Sequence, residues 1–296
     1  MNSAPRLDTK PFAVKTALVV DADPQVESLL LDSLKPGQWV IQHAPDNRSA
    51  LVQAEGRAFD LILTSEKSSG SEDVELLRKL RRVRPHTRLI ILADESTPAD
   101  VIASMRDHAF SYFSKPYSPS ALTEMIRIAA EGPCWDDGIE VVSATPEWIR
   151  TMARCTVNTA DRLLQFLDEI ADLPEAERHA VAMAFREILL NAIEHGGRFD
   201  PAKYVEISYF RAKHMVECLV KDPGEGFTLD EIPHAAVANP PDDPVHHMNF
   251  REARGMRPGG YGVLLAKHLV DELLYNEKGN EVLLVKYIDP TRVQSA

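Results

Sequence analysis

Two rhythms of apolar residues divide this chain. In the first half, short apolar runs at residues 17–20, 39–43, 60–64, 89–92 and 111–113 predict five buried strands. Between them the spacing changes to that of helices. Residues 24–34 place Val26, Leu29, Leu30 and Leu34 on one side, and residues 74–83 do the same with Leu76, Leu77 and Leu80. Residues 48–55, 98–108 and 118–131 complete the alternation. Strands alternating with helices predict parallel βαβ units in an α/β doubly wound sheet, with functional groups at the carboxyl ends of the strands.

The second half reads differently. A strand is predicted over 139–143 and a long amphipathic helix over 147–166, with Ile149, Met152, Leu163, Leu164 and Leu167 as its buried side. Pro174 suits the first position of a helix running to about His195, with Glu175 and Glu177 in the first turn where the helix dipole favours acids. Strands at 205–210 and 215–221 form an antiparallel pair. A helix over 263–275, a turn at 277–280 and a strand over 281–288 follow. The expected architecture is an α+β sandwich, one mixed sheet with helices on one face. The Gly, Pro and Asp cluster at 132–138 reads as a linker. The expected organisation is a tail at 1–13, domains at 14–131 and 139–290, and a tail at 291–296.

The chain has 296 residues, 44% of them hydrophobic, which suits two globular domains with their own cores. No apolar run is long enough to span a membrane. Cys134, Cys155 and Cys218 are odd in number and far apart, which fits neither a disulfide framework nor a zinc site and points to a cytoplasmic setting. Net charge is −12: residues 1–131 carry 16 basic against 18 acidic residues, and residues 132–296 carry 17 against 27. That imbalance disfavours nucleic acid as the ligand of the second half.

Three segments of the second half carry candidate chemistry, about 30 to 40 residues apart. The first, from Glu187 to Gly196, sets Glu187 and Asn191 four apart on one helical face, with His195 one turn further. A carboxylate and a carboxamide so placed suit a Mg²⁺–phosphate group. The second holds Asp222, Gly224 and Gly226 just past a strand. There a carboxylate can accept a hydrogen bond from an adenine amino group, and glycines allow close approach. The third, Gly259, Gly260 and Gly262, precedes a helix whose first amides can hold phosphate. Each alone is also what an exposed helix face, a β-turn and a flexible loop look like; their order is what carries the signal.

These three boxes resemble the ATP-binding domain of the gyrase and histidine-kinase superfamily, the Bergerat fold, across about residues 139–290. Within it, the Asn191-Ala-x-x-His195-Gly196 form and the closing Asp271-Glu272 resemble the anti-sigma-factor serine kinases. That resemblance implies Glu187 as general base, Asn191 as Mg²⁺ ligand, His195 within the nucleotide site and Asp222 as adenine contact. Gly224, Gly226, Gly259, Gly260 and Gly262 would shape the pocket. Residues 228–258 would form a lid whose Arg251, Arg254 or Arg257 could reach the phosphates. His246 and His247 within it read as part of a solvated loop.

Residues 14–131 resemble a response-regulator receiver. Lys115-Pro116 follows the fifth strand, and Asp21 and Asp23 match its acidic cluster. Ser65 stands where the phosphate-accepting aspartate belongs, Ala93 where a hydroxyl is expected and Ala22 where one member of the acidic pair belongs. A serine acceptor would need a general base, so the resemblance is to a pseudo-receiver that works by contact. Glu66, next along, points to the other face of the strand.

The implied protein is an ATP- and Mg²⁺-dependent serine/threonine kinase. It would act on a STAS-type anti-anti-sigma protein, with a sigma factor as a further partner and a homodimer left open. A sensor histidine kinase is the alternative, against which no histidine here is followed by Asp or Glu. A non-catalytic module that uses ATP to set its shape is another.

Overall fold

The computed structural model describes residues 14–21, 24–64, 67–131, 138–171, 173–226, 242–243, 245–253 and 260–288. Chain packing groups Met1–Glu95 with Phe113–Trp135 as one compact unit, and Ser96–Tyr112 with Asp136–Ala296 as another.

A five-stranded sheet organises the first half. Its strands are β1 (Lys15–Val20), β2 (Trp39–Ala44), β3 (Leu61–Leu63), β4 (Arg88–Ala93) and β5 (Ser111–Ser114), in the order β2-β1-β3-β4-β5. β1 pairs in parallel with β2 and β3, and β3 with β4. Residues 17–20, 61–63 and all of β4 are buried, as expected of strands covered on both faces. Helices α1 (Pro24–Ser33), α2 (Asn47–Gly56), α3 (Gly70–Val83), α4 (Pro98–Arg106) and α5 (Pro119–Glu131) alternate with the strands. Their starts are written in the sequence. Asp46 caps α2, and Ser69 with Glu72 and Thr97 with Asp100 form reciprocal capping boxes for α3 and α4. The strand order reverses at β1, so the carboxyl ends of β1 and β3 flank the switch point where such sheets bind ligands.

The second sheet has six strands: β6 (Ile139–Thr145), β7 (Trp148–Arg154), β8 (Tyr204–Ala212), β9 (Met215–Lys221), β10 (Glu272–Tyr275) and β11 (Glu281–Tyr287). Their order is β10-β11-β9-β8-β7-β6. Every pairing is antiparallel, so the sheet is not mixed as the sequence suggested. The register stacks Thr151, Ile207, Val220 and Val282 in one row and Ile149, Tyr209, Cys218 and Leu284 in the next, all buried. Helices α6 (Val157–Ile170) and α7 (Glu175–Asn191) cover that face with Leu163, Phe166, Ile170, Ala184, Phe185 and Ile188.

Two expected helices are corrected. Residues 147–166 are not one helix: Trp148–Arg154 is strand β7, and the helix starts only after the Thr156 cap. Ile149, Thr151 and Ala153 are buried in alternation, so period 2 governs here and Met152 lies on the opposite face from Ile149. Residues 263–275 also split. Helix α9 (Gly262–Leu269) ends at Val270, which turns extended, and β10 follows as an edge strand beside β11. Pro174 precedes the first helical residue of α7 instead of occupying it.

Candidate nucleotide site

The site is built on the carboxyl end of α7, the loop after β9 and the amino end of α9. α7 does not stop at Asn191 but widens into a π-helical turn over Ala192–Gly196, closed by the Gly197 amide donating to the Ala192 carbonyl at 2.8 Å. π turns recur at functional sites because they re-aim side chains without ending the helix. On its inner side α7 buries Val181, Ala184, Ile188 and Leu189; Glu187 and Asn191 are left partly exposed along the opposite edge.

Gly262 meets those two side chains. A Cβ on Gly262 would lie 2.6 Å from Glu187 Oε2 and 3.6 Å from Asn191 Nδ2. The first and third boxes are therefore in contact, and a side chain at position 262 would require the Glu187 carboxylate to shift. Gly262 also opens α9, whose N-terminal residue Tyr261 makes no side-chain cap hydrogen bond. The amino end of α9 thus lies beside the edge that holds Glu187 and Asn191, and the free first-turn amides of a helix suit an anion. Gly260 has φ +95°, a backbone region where glycine is favoured.

The second box joins the first from the other side. Cβ atoms on Gly196 and Gly224 would lie 2.2 Å and 2.6 Å from Asp222 Oδ1. Asp222 accepts from the Gly224 amide at 2.7 Å, and its own amide donates to the Asn280 carbonyl at 2.9 Å. Burial raises the Asp222 carboxyl above its usual range, against the lowering effects of the Gly224 amide, Lys278 and His195. His195 is exposed. Gly226, at φ +86°, lies against the Lys278 carbonyl.

Sequence reasoning missed the supports of this loop. Asn276 Oδ1 accepts from the amides of Gly279, Asn280 and Glu281, and Asn280 Nδ2 donates to the Asp222 carbonyl at 3.3 Å. Tyr275 is pushed up to about 12 by burial and by the Asp222 charge. Two asparagines four apart around a Gly turn were the available signal. Burial likewise pushes the Cys155 and Cys218 thiols up, to about 11 and about 12, which leaves both poor nucleophiles near neutral pH.

Gly259, Arg254, Arg257, Asp23, Ser65 and Glu66 lie outside the described residues, as do most of residues 227–244. Within the expected lid, helix α8 (His246–Ala253) is described. His246 and His247 sit in that helix and not in a solvated loop: His247 is fully buried, edge-on to Tyr261 at 4.5 Å between ring centres. The Tyr261 hydroxyl reaches Met248 Sδ at 3.3 Å. No cluster of metal-ligating side chains occurs among the described residues, and none of their helices is long and apolar enough to cross a membrane.

In the first unit, Asp21 ends β1 at φ +39° and pairs with Lys67 at 3.1 Å. Both line a cleft of about 680 Å³ with Asn47, Arg48, Ser68 and Glu72. Lys115 follows β5, and its amide donates to the carbonyl of buried Ala93. Beneath the cleft lies a residue the sequence did not single out. Asp73, on α3, is fully buried and accepts from Asn47 Nδ2 at 2.7 Å, Thr64 Oγ1 at 2.9 Å and Ser68 Oγ at 2.9 Å. Burial pushes it up to about 6 despite those donors.

Comparison with known proteins agrees with both halves. Residues 17–127 match the response regulator receiver domain, and residues 144–286 match the histidine kinase-like ATPase domain. The chain joins a half that matches the receiver model on a parallel α/β sheet to a half that matches the histidine kinase-like ATPase model on an antiparallel sheet. Among relatives, it is 28% identical to serine-protein kinase RsbW of Oceanobacillus iheyensis over 51% of this chain and 87% of that protein. It is also 28% identical to RsbW of Bacillus subtilis over 53% and 89%. With the nitrate/nitrite response regulator NarP of Escherichia coli it shares 33% identity over 42% of this chain and 58% of that regulator.

Proposed function

We propose that this protein is a cytoplasmic serine kinase of the anti-sigma-factor type, acting on a STAS-type anti-anti-sigma protein and regulated through a receiver-like domain that is not itself phosphorylated. The observation that carries the reading is the convergence of Glu187, Asn191 and Gly262 on the open amino end of α9, with Asp222 held beside Gly196. The similarity to serine-protein kinase RsbW supports it. A sigma factor is a further protein partner under this reading.

The residues fit Mg²⁺–ATP. Asp222 accepts from the adenine amino group, and Gly224 and Gly226 leave room for the base. The α9 amides would take the phosphates, and Asn191 would offer its carboxamide oxygen to Mg²⁺. When bound, Mg²⁺ supplies charge neutralisation on the phosphates. Glu187, with its side chain 32% exposed, is reachable from solvent. It takes the proton of the acceptor serine as the serine oxygen bonds to the γ-phosphorus and the bridging oxygen leaves with ADP.

The test is incubation with Mg²⁺, ATP and STAS-type proteins, with the phosphate located by mass spectrometry. Glu187→Gln is expected to bind ATP as the unaltered protein does and to lose transfer, because the base acts in the chemical step. Phosphate on a histidine of this chain would favour a histidine kinase. ATP binding without transfer to any STAS protein would favour a module that uses nucleotide only for shape.

A further inference from the structure

Helix α6 carries a buried cation that the nucleotide site does not use. Arg162 is 2% exposed. Its Nε donates to the Phe110 carbonyl at 2.7 Å and its Nη2 to the Ala109 carbonyl at 3.2 Å, and the guanidinium lies 4.6 Å from the centre of the Phe110 ring. Nearly one turn on, Gln165 Nε2 donates to the Tyr112 carbonyl at 3.1 Å. All these residues belong to the second compact unit, which includes Ser96–Tyr112. A planar guanidinium forked onto consecutive carbonyls is a directional clamp. Separating α6 from residues 109–112 would leave a buried charge and buried carbonyls without these partners, which is costly.

The neighbouring residue on α6, Asp161, reaches toward α7. Asp161 Oδ1 lies 3.9 Å from Arg186 Nη2, and Arg186 Nη1 lies 3.9 Å from Glu187 Oε1. α6 also packs along α7, the helix that bears Glu187 and Asn191. One rigid helix therefore grips residues 109–112 through Arg162 and touches the side chains around Glu187 through Asp161.

We propose that Arg162 is a positioning residue for the nucleotide site. It fixes residues 109–112 to α6, and α6 sets the placement of Glu187 through Asp161 and Arg186, so a displacement of residues 109–112 alters phosphoryl transfer. This rests on the reading of Glu187 as the base. The ion pairs are partly exposed and weak singly, and they touch the base, not the adenine contact. The expected signature is therefore on rate and not on nucleotide affinity.

Arg162→Ala is expected to slow transfer by about 2- to 30-fold with the Kd for ATP unchanged. Asp161→Asn should slow the unaltered protein similarly and add little to Arg162→Ala. Independent, additive effects, or an equal loss of ATP affinity, would overturn the proposal. Hydrogen exchange reads the coupling without any transfer. Arg162→Ala should raise exchange both at residues 109–112 and in α7 around Glu187, whereas a rise at 109–112 alone would overturn it. A full-length protein that transfers no phosphate would sink the kinase reading and leave the exchange result to decide this one. If Arg162→Ala does not fold, Gln165→Ala removes the Tyr112 contact together with the bond to Glu169 within α6, and it carries the same expected and overturning exchange results.

Discussion

At the scale of single residues, the site was legible wherever chemistry is carried by residue type and spacing. Glu187 and Asn191 announce themselves by being four apart, and Gly262 by preceding an apolar helix. What spacing could not show is that Gly262 and the Glu187 carboxylate share one space. A Cβ there, 2.6 Å from Oε2, forces the carboxylate to move. Gly262→Ala is thus expected to lower transfer by about 10- to 100-fold, the cost of a misplacement on the order of 1 Å. The melting temperature should hardly shift, because the carboxylate is the flexible end of a partly exposed side chain. A variant that transfers normally would mean that Glu187 does not act from this position. Asp73 was illegible for the opposite reason: an acidic residue in the first turn of a helix normally faces water. Its folded value, about 6, lies above the ordinary 3.8. The native state therefore binds that proton more tightly than the unfolded chain. Its contribution to stability is full below about pH 4 and falls as pH rises to about 6, by about 3 kcal/mol in all. Denaturant unfolding of the unaltered protein should show this decline between those pH values. Asp73→Asn, which keeps the shape and can still bond Thr64 and Ser68, should flatten it.

At the scale of elements, the first half was read almost residue by residue. Its inner strands β1, β3 and β4 are mostly buried apolar runs, and helices α2, α3 and α4 open on recognisable caps at Asp46, Ser69 and Thr97. The second half failed where a short strand abuts a helix. Residues 147–166 contain apolar residues compatible with both periods, and the break falls at the Thr156 cap. The six-stranded sheet decides the matter, since β7 pairs with β6 and β8 on its two sides. The helix over 263–275 failed the same way, because Leu273, Leu274 and Tyr275 suit an edge strand as well as a helix face. These alternatives differ in what they bury. A helix would place Ile149 and Met152 together, whereas β7 puts Ile149 in the core and Met152 on the far face. Ile149→Ala is expected to cost about 2–4 kcal/mol, and Met152→Ala less than about 1 kcal/mol, by urea denaturation. Equal costs would argue against the strand.

At the scale of the whole molecule, the sequence carried the division into a parallel α/β half and an α+β half, because the two hydrophobic rhythms differ. It also placed the acidic surplus in the second half. The relation between a site and its regulation is less legible, since it depends on which backbone groups meet which side chains. The receiver-like half illustrates this. Asp21 lines a cleft at the carboxyl ends of the strands, and Lys115 follows β5. The residue at the expected acceptor position is Ser65. Forming an acyl phosphate needs a carboxylate oxygen to attack phosphorus while acetate leaves a small donor such as acetyl phosphate. A serine hydroxyl must in addition lose its proton to a base. Asp21 is committed to Lys67 at 3.1 Å, and Asp73 is shut beneath the cleft by Asn47, Thr64 and Ser68. The unaltered protein, treated with acetyl phosphate and Mg²⁺, is therefore expected to show no phosphoryl adduct within residues 14–131 by intact mass and peptide mapping. Ser65→Asp supplies the carboxylate that the receiver resemblance expects, and it is expected to gain one adduct at that position. An adduct on the unaltered receiver-like half would show that it signals by phosphorylation after all. A Ser65→Asp protein that stays unmodified would show that Ala93 and Ala22, and not the acceptor alone, have closed this chemistry.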